Sequence, residues 1–391
     1  LANRAGWASV YRVTRTDDHA PDGCQPSDCT LREAILAANA GSSGPLYKAV
    51  ITFGVNGTFT LTRAGNDDTA STGDLDITGG SLLLLGNGAD QTVIDAGGLD
   101  RVFHILNGAI VVLQGVTLQN GTAAGDPGFT VGGADLNDGC PRTWHASGVQ
   151  SNQATSGGGL SNFNNALTTV NGSAIVNNAA ADGSGGGLGV FTGSSVTVNN
   201  TTIGGNTADR GGGAYVSDLG STLSLNFSTL ARNTAATGTG GGVRWISDGA
   251  WSARNSLVAG NTGTDCAATA SAGAFTSQGF NLFGQNGGAN GCLVGGTDKA
   301  LAGAIGTALS ASLAAARAGV PAYALVPGGP AVDAIALGAN CALPSFDVAD
   351  QPRPADGDHN GTLACDLGAL ELRTGVPGTG GLSLFLPLIV R

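Results

Sequence analysis

The sequence predicts an all-β fold: a right-handed parallel β-helix, or solenoid, with a capping helix at its N-terminal end. Three observations predict it: a repeat near 28 residues, three short β-rich runs within each repeat, and one amphipathic helical stretch ahead of them. Triple glycines begin at Gly157, Gly185, Gly211 and Gly240, and each opens a short apolar run followed by a second and a third. Each unit closes on an asparagine. Asn178, Asn206, Asn233 and Asn261 are spaced 28, 27 and 28 residues apart, and the register runs back through Asn152 to Asn120. Such a unit fits one coil of a three-sided solenoid, in which each strand pairs with its equivalent one coil up, about 4.8 Å away. Asparagine at a fixed corner tolerates the left-handed conformation and can hydrogen-bond the asparagines above and below. Asn120, Asn152, Asn178, Asn206, Asn233 and Asn261 are therefore expected to form a ladder.

The elements follow in chain order. Residues 1–48 are read as an N-terminal cap whose helix covers 30–40, because "CTLREAILAANA" places Thr30 and Glu33 in capping-box spacing and Leu31, Ala34, Ile35 and Ala38 on one face. A solenoid end exposes apolar core and unpaired backbone, so a helix lying over it is expected. Residues 49–299 are read as coils, with 121–150 breaking the period as a loop thrown out from one of them. Residues 300–373 are read as further coils with a disulfide-bearing loop. Residues 374–381, "TGVPGTGG", form a flexible linker, and 382–391 form an apolar tail strand.

Composition excludes several classes. Gly makes up 67 of 391 residues without a collagen period, and charged residues at 12% against 41% hydrophobic exclude a disordered chain. A net charge of −11 with scattered Arg and only two Lys, Lys48 and Lys299, argues against nucleic-acid binding. The ten residues 382–391 are too few for a transmembrane helix, which needs about 20. Met is absent, including at position 1, which reads as a mature chain after removal of a signal peptide. Cysteine placement agrees with secretion, since three local disulfides, Cys24–Cys29, Cys266–Cys292 and Cys341–Cys365, fit an oxidising compartment. Sequence does not fix this connectivity, and seven free thiols are the alternative. Cys140 is left over, either buried as a small hydrophobe or available for an intermolecular bond.

Several stretches resemble known surface proteins. "DCTLREAILAANA" resembles the Cys-Ser-Leu-Arg-Glu-Ala (CSLREA) domain, with Thr30 in place of the usual Ser. "GFNLFG" (279–284), "PGGPAVDA" (327–334) and "QPRPADGDHNGTLACDLGALE" (351–371) resemble the choice-of-anchor Q region of parallel β-helix proteins, and "GLSLFLPLIVR" is similar to the Leu-Pro-Leu tail of exported Chloroflexi proteins. The resemblance implies secretion, a parallel β-helix and cell-surface association. It implies no reaction.

Chemistry-bearing residues are sparse. Polysaccharide lyases and hydrolases on this fold need clustered carboxylates beside a base, or paired acids on one face. The nearest approximations are Asp182, Asp209 and Asp218 with Arg210, and Asp248 with Arg244, all at turns where Asp is ordinarily a turn former. Four histidines, His19, His104, His145 and His359, lie far apart with no zinc-site spacing. One loop is calcium-like: Asp356, Asp358 and Asn360 alternate before Gly361, with Thr362 next in the alternation and Asp366 closing a cage where Leu367 replaces the usual Glu. Ca²⁺ is the one cofactor expected, as a brace for the C-terminal region.

In the tail, Leu382, Leu384, Phe385, Leu386, Leu388, Ile389 and Val390 offer an apolar strand, and the eight-residue linker reaches about 26 Å. The expected role is an extracellular structural subunit that polymerises with copies of itself, head to tail, by adding this strand to the next rod. The alternatives are a carbohydrate-active β-helix enzyme and an adhesin that binds cell-surface glycans.

Overall fold

The period-two runs of each repeat become parallel strands stacked in three faces, and the chain is a right-handed parallel β-helix. The computed structural model describes residues 8–41, 48–123, 130–284, 291–292, 295–338, 340–341 and 345–373. One coil shows the plan: Leu167–Asn171 lies on face 1, Ala174–Val176 on face 2, the short arm Ala179–Ser184 follows, and Leu188–Val190 lies on face 3. Among the described residues, faces 1 and 2 have ten strands each, face 3 has eight, and the arms make a fourth sheet of four.

Register decides the core. On face 2, Phe59, Ile94, Leu118, Val149, Ile175, Ile203, Leu230, Val258 and Phe283 stand in one column, none more than 2% exposed. A one-residue slip in any coil would turn such a side chain outward and expose its apolar surface. One ion pair shares the lumen. Asp135 and Arg142 meet there, both wholly buried, and Arg142 also reaches Asn162 Oδ1 at 3.0 Å. Buried charge is tolerated only when paired in this way.

The asparagine ladder forms, with one correction. Each Oδ1 accepts from the preceding coil's Asn backbone N–H and amide, running Asn152, Asn178, Asn206, Asn233, Asn261 and ending on Asp265. Asn120 is not a rung. It has φ +55°, its side chain goes to Asp95, and Gly121 holds the rung position, donating to Asn152 Oδ1 at 2.8 Å. The left-handed corner also falls one residue before each rung, at Ser151, Asn177, Gly205, Arg232 and Gly260.

The triple glycine has a steric reason at each position. The first is left-handed, with φ between 61° and 74° at Gly157, Gly185, Gly211 and Gly240. A Cβ on the second would run into the backbone carbonyl of the next coil, as at Gly186 against Thr207. A Cβ on the third would press on a ladder amide: 2.9 Å from Asn206 Nδ2 at Gly187.

The predicted helix forms with its capping box. The helix spans Leu31–Ala40, Thr30 Oγ1 accepts from Glu33 N, and Glu33 Oε2 accepts from Thr30 N at 2.8 Å. Arg32, buried beneath it, pairs with Asp18 at 2.7 Å and donates to the carbonyls of Ala70, Gly73 and Asp74.

Two expectations about the coils are corrected. Residues 121–150 are not one excluded loop. Asp135–Asp138, Pro141–His145 and Gly148–Gln150 form a regular coil in register with both neighbours. The regular coil begins at Asp135, and glycine- and proline-rich spelling around it hid it.

Residues 300–373 do not continue the coils either. After Lys299–Ala300 the chain turns back along the outside of face 2 as an antiparallel hairpin, Leu309–Arg317 with Val320–Leu325, and a small Ile335–Ala336 and Ala364–Cys365 pair. This clamp packs Tyr323 against Gly204, sets Arg353 over the Phe227 ring at 4.4 Å, and accepts from Asp90 N at Ala318 O. Under it lie small outer residues of face 2, Ala174, Gly204 and Ala231, beside the larger Val176 and Leu257.

All three expected disulfides are present, Cys24–Cys29, Cys266–Cys292 and Cys341–Cys365. Cys140 is buried and free, its Sγ donating to Asp138 O, and burial pushes its thiol up. Among the described residues no helix is long and apolar enough to cross a membrane.

Candidate functional site

Where the clamp leaves the corner between faces 1 and 2, it opens a groove of about 650 Å³. The floor is built by register. His145, Asn171, Asn199, Asn226 and Arg254 end successive face 1 strands and stand directly above one another. Asn226 Nδ2 donates to Asn199 Oδ1 at 3.0 Å, and Asn199 Nδ2 to Asn171 Oδ1 at 2.9 Å, so their amides are aligned in one sense. The next residue in each coil takes the left-handed corner, with φ 46° at Asn200 and 45° at Phe227. Those corners hold the row at the rim.

The other wall is the clamp. Phe346 is 45% exposed, and Arg317 pairs with Asp350 at 2.7 Å. Asn200 donates to Phe346 O at 2.6 Å and keeps a buried Oδ1 without a hydrogen-bond partner. Burial, reinforced by the Arg317 charge, pushes His145 down to about 4, so its imidazole is neutral at pH 7. Burial likewise pushes Asp350 upward, against the pull of Arg317. Beside this floor on face 1 runs a hydroxyl row in register: Thr143, Thr169, Thr197, Ser224, Ser252 and Thr276.

The arrangement offers a hydrogen-bonding track at the strand spacing, about 4.8 Å per step, neutral from His145 to Asn226 and cationic at Arg254, beside an exposed aromatic ring. The two lining carboxylates are already engaged. Asp350 holds Arg317, and Asp347 accepts from Ala349, Gln351 and Glu371 amides. A pair of free acids flanking a scissile bond, the requirement for glycoside hydrolysis, is not what these residues present.

Of the residues singled out from sequence, Arg210, Arg244 and Asp218 lie within electrostatic reach of the Tyr215 phenol. Asp182, Asp218 and Asp248 occupy left-handed turn positions, with φ 60°, 80° and 64°. Asp209 lies in the arm Thr207–Arg210. Of the calcium-like set, Asp356 accepts from Asn360 N and Gly361 N, and Asp358 accepts from the backbone and side chain of Asn360. Thr362 contributes its backbone N–H to Asn360 Oδ1. Asp366 turns inward instead, accepting from Asp333 N and Leu372 N, so it does not close a cage with the others. The carboxylate that does approach Asp356 and Asp358 is Asp333, from a preceding turn. The tail residues Leu382, Leu384, Phe385, Leu386, Leu388, Ile389 and Val390 lie outside the described residues, as does the linker 374–381.

The groove itself was not read from sequence, although Asn171, Asn199 and Asn226 recur at 28 and 27 residues and carry the same period as the buried ladder. Compared with family models, curated proteins and solved structures, the chain finds no match.

Proposed function

We propose that this protein works outside the cell and binds a linear polysaccharide along the groove without cleaving it. The observation that carries this reading is the row His145, Asn171, Asn199, Asn226, Arg254, which repeats one polar group per coil over five coils. An extended glycan presents hydroxyls at a repeat close to the strand spacing, so a chain lying along the rod axis meets an equivalent donor and acceptor at each sugar. Phe346 supplies a face for a sugar ring. Three disulfides suit an oxidising compartment and support the location, as does the resemblance of the chain ends to surface proteins.

The test is sedimentation with insoluble polysaccharides and calorimetry with soluble oligosaccharides, comparing wild type with Phe346→Ala and Arg254→Ala. Each substitution is expected to weaken binding about three- to tenfold. Absence of binding to any neutral or uronic polymer defeats the reading. Reducing or unsaturated ends appearing in the mixture would replace it with the enzyme reading.

A second reading has its own observation. Among the described residues face 1 ends at Ser9–Val13, an edge strand carrying Val10 at 67% exposure, which offers an edge for an added strand. Head-to-tail assembly through residues 382–390 therefore stands as a proposal compatible with glycan binding.

A further inference from the structure

Coil stacking brings together two residues that are 28 positions apart. Asp76, in Leu75–Ile77, pairs in register with His104, in Phe103–Ile105, the next strand on face 3. The segment before Leu75 folds over them. From it, Ala70 N donates to Asp76 Oδ2 at 2.8 Å, and Asp68 Oδ1 comes to 3.9 Å from His104 Nδ1.

The remaining oxygen of Asp76 is the telling one. Oδ1 is buried in a side chain with 0% exposure, has no hydrogen-bond partner, and faces His104 Nδ1 at 3.4 Å. That separation is long for an N–H···O bond. Leaving a carboxylate oxygen buried and unmatched is costly, and a cation between it and the imidazole removes the cost. The three donor atoms lie within 4.8 Å of one another. Metal–ligand bonds of about 2.0–2.1 Å in a tetrahedron set ligand atoms roughly 3.3 Å apart, so 3.4 and 3.9 Å need only small side-chain shifts.

Arg101, on the coil that carries His104, is engaged by Asp74 at 2.9 Å and lies 3.9 Å from Asp100.

We propose that Asp68, Asp76 and His104 bind a divalent transition ion of the zinc class, with a fourth position open to solvent on the Asp68 side. One imidazole and two carboxylates suit Zn²⁺, whereas Ca²⁺ and Mg²⁺ take six or more oxygen ligands. Such an ion joins the segment ahead of face 3 to two coils, and three protein ligands with an open fourth position also leave room for a bound water.

The experiment titrates chelator-stripped protein with Zn²⁺ by calorimetry and with Co²⁺ by visible absorption. A single equivalent is expected, with the intense bands of tetrahedral Co²⁺. Asp68, at 74% side-chain exposure, can be changed without disturbing the fold, and Asp68→Asn should weaken Zn²⁺ binding by more than about tenfold. His104→Gln should abolish it, with circular dichroism showing the coils intact. His19→Gln, at the separate His19, Asp22 and Glu33 group, should leave it unchanged. No binding by wild type, affinity unaltered by Asp68→Asn and His104→Gln, or loss through His19→Gln overturns the assignment.

Discussion

Replacing one rung of the asparagine ladder tests how much of the rod's stability lies in its internal polar spine. Asn206 is wholly buried and makes four side-chain hydrogen bonds: Nδ2 to Ile175 O and Asn233 Oδ1, both at 2.9 Å, and Oδ1 from Asn178 N and Nδ2 at 2.9 and 3.0 Å. In Asn206→Ala all four go. Asn178 Nδ2 keeps Val149 O and Asn233 Oδ1 keeps the Asn206 backbone N–H, so the uncompensated loss falls mainly on Asn178 N and Ile175 O. At about 1–3 kcal/mol for each buried group left unmade, and with a water recovering part of it, the variant should lose about 3–5 kcal/mol. An unfolding entropy of about 2.1 cal/mol/K per residue over the whole chain converts this to a fall in melting temperature of about 4–6 °C. The assay is thermal and urea unfolding by far-ultraviolet circular dichroism, with Asn199→Ala as the surface comparison, since its amide row is partly exposed and should cost under about 1 kcal/mol. Equal losses in the two variants, or less than about 1 kcal/mol for Asn206→Ala, would refute the claim that the buried spine is what matters.

Three further outcomes are expected. Gly186→Ala should destabilise as much as a core truncation, about 2–4 kcal/mol, because its Cβ meets the Thr207 carbonyl and backbone cannot step aside; urea titration showing less than about 0.5 kcal/mol contradicts the steric account. Burial pushes Glu371 up to about 7 and Asp366 up to about 6, so the folded clamp holds protons that the unfolded chain releases, and stability falls as pH rises from about 4 to 7. His145, pushed down to about 4, acts in the opposite sense across the same window, so His145→Gln should melt at steadily lower temperature from pH 4.5 to 7 while wild type stays flatter; parallel profiles count against this balance. Deleting residues 375–391 should leave the circular dichroism of the rod unchanged and remove any fibres seen by negative-stain microscopy, and fibres that persist rule out strand addition by the tail.

Much of the fold was legible because its signals are local and repeated. The Gly157, Gly185, Gly211 and Gly240 runs and the rungs from Asn152 onward carry the coil period in the chain itself, and Thr30 with Glu33 announces the cap helix. What failed was register at the edge of the pattern. Asn120 occupies the corner next to a rung, a one-residue ambiguity that spacing cannot resolve where the neighbouring coils differ in length. The coil at 135–150 hid behind Cys140, Pro141 and Gly139, residues that normally punctuate turns. The clamp was unreadable because its contacts with the coils, such as Asn200 to Phe346 across 146 residues, have no period. The groove depends on the clamp and was lost with it. The Asp76 and His104 pair, by contrast, differ by one coil length, and sorting polar residues by that length would have joined them.

The clamp changes how the rod comes apart. Stacked coils coupled only to their neighbours can fray from an end, one at a time, each step costing little. Here a single returning segment touches coils from Asp90 to Gly260, where Ile305 packs, so several coils are splinted to one another from outside. A pull along the axis loads those contacts in shear and all at once. Because the splint follows the coils in the chain, it can seat only after they have wound, and the last described residues to be made lock what was built before them. A rod held in this way gains a high barrier to unravelling under tension or proteolytic attack from that order of assembly.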